Sequence, residues 1–209
     1  MTAPALPRDR IPAPVLYLIF LLSGFAAILY QLVWQRSLFR LLGTSSESVT
    51  MVVTAFMLGL GFGSLGGGVL SLRATRSLPF LFGLAELGIG IFGFVSMPLF
   101  SWIASLTWAA EGLTIGIIAF VCVLVPTLLM GGTLPILVAY LVRESRNVGK
   151  SVGFLYFINT LGSAFGCFAA ALWILGHLGQ GGTVILAASI NLTVAGGVIG
   201  LAALRRRPA

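Results

Sequence analysis

Glu86 stands inside the apolar stretch PFLFGLAELGIGIFGFVSMPLF, whereas nearly all other charges of the chain fall between such stretches. A carboxyl group near a bilayer midplane costs about 2.5 to 3.5 kcal/mol on insertion scales, so it is kept against a partner or protonated. Glu86 is therefore the first functional candidate. The apolar regions or their edges also hold Tyr30, Gln31, Gln35, Thr54, Thr127, Thr133, Tyr156, Asn159, Thr160 and Asn191. Hydrocarbon supplies no hydrogen-bond partner, so each of these side chains wants one from the protein. Two readings stand for Asn159. It makes an ordinary interhelical hydrogen bond, worth about 0.6 kcal/mol on average, or it joins Tyr156 and Glu86 around one polar pocket that binds a ligand or gates a path.

A second candidate is the run PTLLMGGTLPIL, which places Gly131, Gly132 and Thr133 between Pro126 and Pro135. Proline removes a backbone donor and clashes with the preceding turn, so a helix here is expected to kink or unwind. In the kinked version nothing more follows. In the broken version, as in transporters with discontinuous helices, freed carbonyls around Gly131 and Gly132 face a ligand.

Other chemistries find no residues to carry them. Cys122 and Cys167 lie inside apolar runs without a CxxC pair, which suits small packing residues better than a disulfide. The lone His177, in LGHLGQGG, cannot supply both axial ligands of a b-type haem, and there is no CxxCH. No metal site and no cofactor are expected. GxSxG, P-loop and HExxH motifs are missing, and the glycines of GSLGGG lack the strand before and the acid after that a dinucleotide loop needs. Catalysis by this chain alone is not expected.

The elements that must position these residues follow from composition. Of 209 residues, 58% are hydrophobic and 8% charged, with a mean hydropathy of +1.09. That is a polytopic membrane protein. A spanning helix needs about 20 mostly apolar residues. Six segments meet that length, about 14–35, 49–72, 78–97, 112–141, 152–175 and 182–204. The expectation is an all-α bundle of six transmembrane helices over 14–204, between an N-terminal tail at 1–13 and a basic tail at 205–209. The first run is followed by Gln31, Trp34 and Arg36 rather than a small-residue cleavage site, so it is expected to stay as a span.

The net charge of +7 is spread over short loops and ends, a pattern of topology rather than of nucleic-acid binding. If six helices alternate, Arg8, Arg10, Arg73, Arg76, Arg143, Arg146, Lys150, Arg205, Arg206 and Arg207 share one side. Only Arg36 and Arg40 face the other, snorkelling beside Trp34 with Glu47 as an ion partner. The positive-inside rule then places both termini in the cytoplasm, and the chain in the inner membrane of a bacterium.

Twenty-seven glycines point to close helix contacts, because small residues let backbones approach where lipid gives no hydrophobic drive. Gly59, Gly63 and Gly67 repeat at four-residue spacing in the second segment, and Gly162, Gly166 and Ala170 in the fifth. These faces pack helix on helix within a protomer or build a homo-oligomer. Their matching places suggest a three-plus-three repeat, which would have inverted topology.

The ordered strings GFAAILYQLVWQRSLFRLLG, AFMLGLGFGSLGGG, LAELGIG, PTLLMGGTLPIL and VGFLYFINTLGSAFGC cover nearly the whole chain. Together they resemble the integral-membrane region that precedes a spermidine-synthase-like domain in many bacterial proteins. The resemblance implies that a cytoplasmic, Rossmann-type aminopropyltransferase-like domain would follow the last helix. This sequence stops at RRRPA, so the glycine loop and acidic residues of a synthase site are absent from it. The expectation is a non-catalytic membrane domain that anchors or assists a protein partner, with Arg73, Arg76, Arg143, Arg146, Lys150 and Arg205 as the contacts. Two alternatives stay open: a six-helix half of a transporter for a polyamine-like cation, and an accessory subunit of a larger membrane complex.

Overall fold

The computed structural model describes residues 11–42, 46–74, 77–106 and 112–204, all of it helix and short connections. Arg8, Arg10, Arg76, Arg205, Arg206, Arg207 and the Glu47 side chain lie outside the described residues, as do most of the two expected tails. Helices α1 (Ala13–Leu42), α2 (Ser46–Arg73), α3 (Leu78–Leu106) and α4 (Gly112–Ser145) are followed by one longer helical run, α5 (Val148–Leu204). All five are long and apolar enough to cross a membrane. Their outward faces carry Phe62, Leu65, Trp102 and Phe168, each at least 60% exposed. In water such faces would drive aggregation; against lipid they are at home. The chain is a membrane protein.

The expected six-helix bundle is corrected to five helices. The segment LGHLGQGG, read from sequence as a turn between two spans, is helical up to and beyond a single residue, Gly179, so no loop divides Val148 from Leu204. A straight helix of these 57 residues would be about 86 Å long at ~1.5 Å per residue, far more than a ~30 Å hydrocarbon core. The run instead folds back on itself at Gly179, whose φ of 63° and ψ of −172° only glycine adopts freely. Its outgoing arm (residues 148–178) lies along α1 through Val148–Ala169 and contains a π-helical turn (Ala170–Ile174), and its return arm (residues 180–204) lies antiparallel to α3, with Gly83 by Ile199 and Gly90 by Leu192. A three-plus-three repeat counted on six spans loses that count.

The expected break in the fourth helix is corrected too. Helix α4 runs unbroken with Pro126 and Pro135 inside it, and the backbone at Gly131 and Gly132 is helical. The prolines remove individual hydrogen bonds without unwinding the turn, because α2 and α3 pack against α4 and hold its path. The hydroxyls of Thr127 and Thr133 bond back to carbonyls of the preceding turn and add local support.

Glycines set the tightest pairings. A Cβ on Gly59 would strike the Thr127 side chain, on Gly63 the Leu128 backbone, and on Gly67 the Gly132 backbone, so α2 lies directly on α4. The outgoing arm sits on α1 in the same manner, Gly162 over Leu21 and Gly166 over Phe25 and Ile28. Helix α3 takes the return arm, with Gly83 against Ile199 and Gly90 against Leu192.

Two apolar clusters fill the ends of the bundle. One gathers around Trp34, which stacks on Tyr30 at 4.7 Å between ring centroids and meets Phe92 edge-on at 5.3 Å. Its indole N–H donates to Ser96 Oγ at 3.0 Å, satisfying a polar atom that lipid could not. The other gathers around Phe20, Phe82, Leu137 and Val198. Between Phe20 and Ala26, Phe82 and Ile89, and Ala188 and Val194, three helices each place one buried polar residue at the same level: Ser23, Glu86 and Asn191.

Candidate ligand-binding site

That shared level is the site. Glu86 is fully buried, and its two carboxyl oxygens have separate partners on separate helices. Ser23 Oγ of α1 donates to Oε1 at 2.6 Å, and Asn191 Nδ2 of the return arm donates to Oε2 at 2.5 Å. Both partners are neutral, and among the described residues no cation pairs with this acid. A carboxylate only accepts, so the Asn191 amide must turn its NH₂ toward Glu86 and its oxygen away. Asn191 Oδ1 is left buried without a hydrogen-bond partner, as is the Tyr30 hydroxyl one level further along α1.

Asn191 lies on the wall of a partly open cavity of about 290 Å³ lined by parts of all five helices. Of the residues named from sequence, Gln31, Gly131, Thr133, Tyr156 and Asn159 line it with Asn191. Tyr156 is 63% exposed and stands at the rim, while Asn159 is half-buried against Gly24 of α1. Glu86 is not on the wall; it reaches the cavity only through Ser23 and Asn191, which are. Gly132 faces Gly67 instead and serves the α2–α4 contact.

The expected ring of freed carbonyls is reduced to one. Pro135 has no N–H to offer the Gly131 carbonyl four residues before it, so that oxygen lacks its helical donor. Thr133 gives its hydroxyl to the Met130 carbonyl at 2.7 Å. Ser163, also on the wall, bridges the Gly24 carbonyl at 3.0 Å and the Asn159 carbonyl at 3.1 Å, tying the outgoing arm to α1. Phe20, Phe56 and Ile89 supply the apolar part of the lining. Such a mixture of apolar wall and a few fixed polar groups suits a small ligand.

Sequence reasoning did not single out Ser23, and it counted Asn191 only among polar residues needing partners. Their link to Glu86 was available in one respect: each interrupts an apolar run at a depth that would coincide if α1, α3 and the return arm packed together. Serine is too common in membrane helices for that alone to identify it.

The basic residues gather as a group. Arg73 ends α2, Arg143 lies in the last turn of α4, and Lys150 lies in the first turn of α5. The connection between α4 and α5 is only Arg146, at φ 52°, and Asn147, whose Oδ1 caps α5 by accepting from Lys150 N at 2.9 Å. At the opposite end Arg40 hydrogen-bonds the Gln180 side-chain oxygen, which also accepts from Ser37 Oγ at 3.3 Å. Gln180 directly follows Gly179, so this pair fastens the fold-back of α5 to α1.

Among the described residues no three His, Cys, Asp or Glu side chains come together as a metal site. No family model, no curated protein and no solved structure matches the chain.

Proposed function

We propose that this chain is a non-catalytic membrane domain whose mid-membrane cavity binds a small polar solute, and that it carries this solute across the bilayer or hands it to a protein partner. One observation carries the reading: three polar residues, Ser23, Asn159 and Asn191, line the mid-membrane cavity, and two of them, Ser23 and Asn191, are held in place by the buried Glu86. Polar groups fixed at that depth are costly unless they are paired, and a solute with N–H or O–H donors would pair with those on the wall. A polyamine-like cation has such donors and would be balanced by the Glu86 charge. The resemblance to the membrane region of spermidine-synthase-like proteins agrees with that class of solute.

The test is uptake of radiolabelled putrescine and spermidine into proteoliposomes holding the purified chain. Saturable uptake is expected, and Glu86→Gln and Asn191→Ala should each lower it at least tenfold while helical content is unchanged. Uptake and binding equal to those of empty liposomes would sink the reading.

A second reading is supported by the other distinctive surface. Arg73, Arg143, Arg146 and Lys150 stand exposed at one end, which suits the anchoring of a soluble acidic partner on the cytoplasmic face of a bacterial inner membrane. Extraction in a mild detergent, followed by mass spectrometry of what stays bound, tests it; charge reversal at Arg73 and Lys150 should release the partner.

A further inference from the structure

A second recess is larger than the polar cavity and has a different character. It has a volume of about 550 Å³ and runs between α2 and the outgoing arm of α5, which scarcely touch each other, over a floor made by α4. Leu134, Val138 and Val142 form that floor, and Leu72, Val148 and Val152 stand on its sides. At its far end is Arg143, exposed, in the group of cations that includes Arg73, Arg146 and Lys150. At its near end Ser64 and Leu134 belong to both recesses, so the groove begins where the polar cavity opens.

Its dimensions fit one leaflet. From Leu134 to Arg143 the helix rises about 13.5 Å at ~1.5 Å per residue, against the ~15 Å that is half of a ~30 Å hydrocarbon core. Apart from Ser64 at the near end and Ser71, whose hydroxyl bonds back to the Gly68 carbonyl, the walls are apolar over that length and turn cationic only at the end, which is the polarity profile of a lipid with an anionic headgroup. A second copy of this chain fits poorly. Two copies share one orientation in a membrane, so a neighbouring helix would bring its own basic end to Arg143, and like charges would meet without water around them.

We propose that this groove binds one anionic phospholipid, its phosphate at Arg143 and one acyl chain along Leu134, Val138 and Val142, and that the bound chain closes the side opening of the polar cavity. This does not depend on what the cavity itself binds. The lipid would occupy the gap that α2 and α5 leave, and Ser64 would lie at the end of the acyl chain.

The experiment uses the full purified chain in nanodiscs of phosphatidylcholine with a minor share of phosphatidylglycerol, released from the discs and weighed by native mass spectrometry. One phosphatidylglycerol per protomer is expected to survive release, in at least tenfold preference to phosphatidylcholine. Arg143→Gln should lower its retention about fivefold, the factor for one cation beside an anionic headgroup. Ala139→Phe, which fills the groove from its floor, should abolish retention, with circular dichroism and sizing as checks on folding; Val152→Trp, from the side wall, serves if Ala139→Phe does not fold. Equal retention of both lipids, or retention unchanged in Arg143→Gln and in the filled groove, would overturn the proposal. Release of the lipid by millimolar inorganic phosphate alone would also overturn it, because the site would then be one for phosphate and not for lipid.

Discussion

Ser23, Glu86 and Asn191 form a set in which each member restrains the others, so their substitutions should not behave alike. Glutamine at 86 keeps the shape and the hydrogen bonds: its oxygen accepts from Asn191 Nδ2 and its NH₂ donates to Ser23 Oγ, which accepts as readily as it donates. Glu86→Leu has no such exchange, because the Asn191 amide is then buried with neither of its polar ends paired. Glu86→Gln is expected to unfold within about 1 kcal/mol of the parent, and Glu86→Leu and Asn191→Leu to be destabilised by about 1 to 3 kcal/mol. Unfolding followed in mild detergent by denaturant checks the order, and a Glu86→Gln protein as weak as Glu86→Leu would refute it. Much of this site could be read in the sequence, because a polar residue in hydrocarbon is conspicuous: Glu86, Thr133, Tyr156 and Asn159 all stand out for that reason. What could not be read is that Glu86 lies one layer behind the wall. That depends on the rotation of three helices about their axes, which helices apolar on every side do not encode in a pattern of polar and apolar faces.

At the scale of elements, glycine spacing was informative and proline was misleading. Gly59, Gly63 and Gly67 repeat every four residues, hence on one face of a helix, and that face lies against the α4 backbone. Two glycines of the same helix make a controlled comparison. A side chain at Gly63 would meet the carbonyl of Leu128, whereas one at Gly66 would meet nothing within 4 Å. Gly63→Val should cost about 1 to 3 kcal/mol, as overpacking does, and Gly66→Ala should be neutral or slightly stabilising through its helix propensity; thermal unfolding in detergent measures both. Gly179→Ala should cost a similar 1 to 3 kcal/mol for a different reason, since its backbone conformation belongs to glycine alone. Pro126 and Pro135 pointed to a broken α4 that the structure does not have. The rule for proline describes a helix by itself, and here neighbouring helices hold α4 on both sides of each lost hydrogen bond. The glycines of LGHLGQGG likewise suggested a loop, although one left-handed residue was enough to turn the chain.

For the whole molecule, the asymmetry of charge predicts an orientation. The end that carries Arg73, Arg143, Arg146 and Lys150 is far more basic than the end where Arg36 and Arg40 lie, and Arg40 is already engaged by Gln180. Loops this short keep the first charge bias that meets the membrane, so the basic end should remain in the cytoplasm. Single cysteines test this in a background where Cys122 and Cys167 are replaced by alanine. Lys150→Cys, in the first turn of α5, and His177→Cys, two residues before the fold-back, lie at opposite ends of the outgoing arm, and both positions are exposed. A membrane-impermeant maleimide is expected to label His177→Cys in intact cells or spheroplasts, and Lys150→Cys only in inverted vesicles. Labelling of Lys150→Cys from outside would reverse the orientation. It would then place the proposed lipid groove in the outer leaflet and put any cytoplasmic partner out of reach of the arginines proposed to hold it.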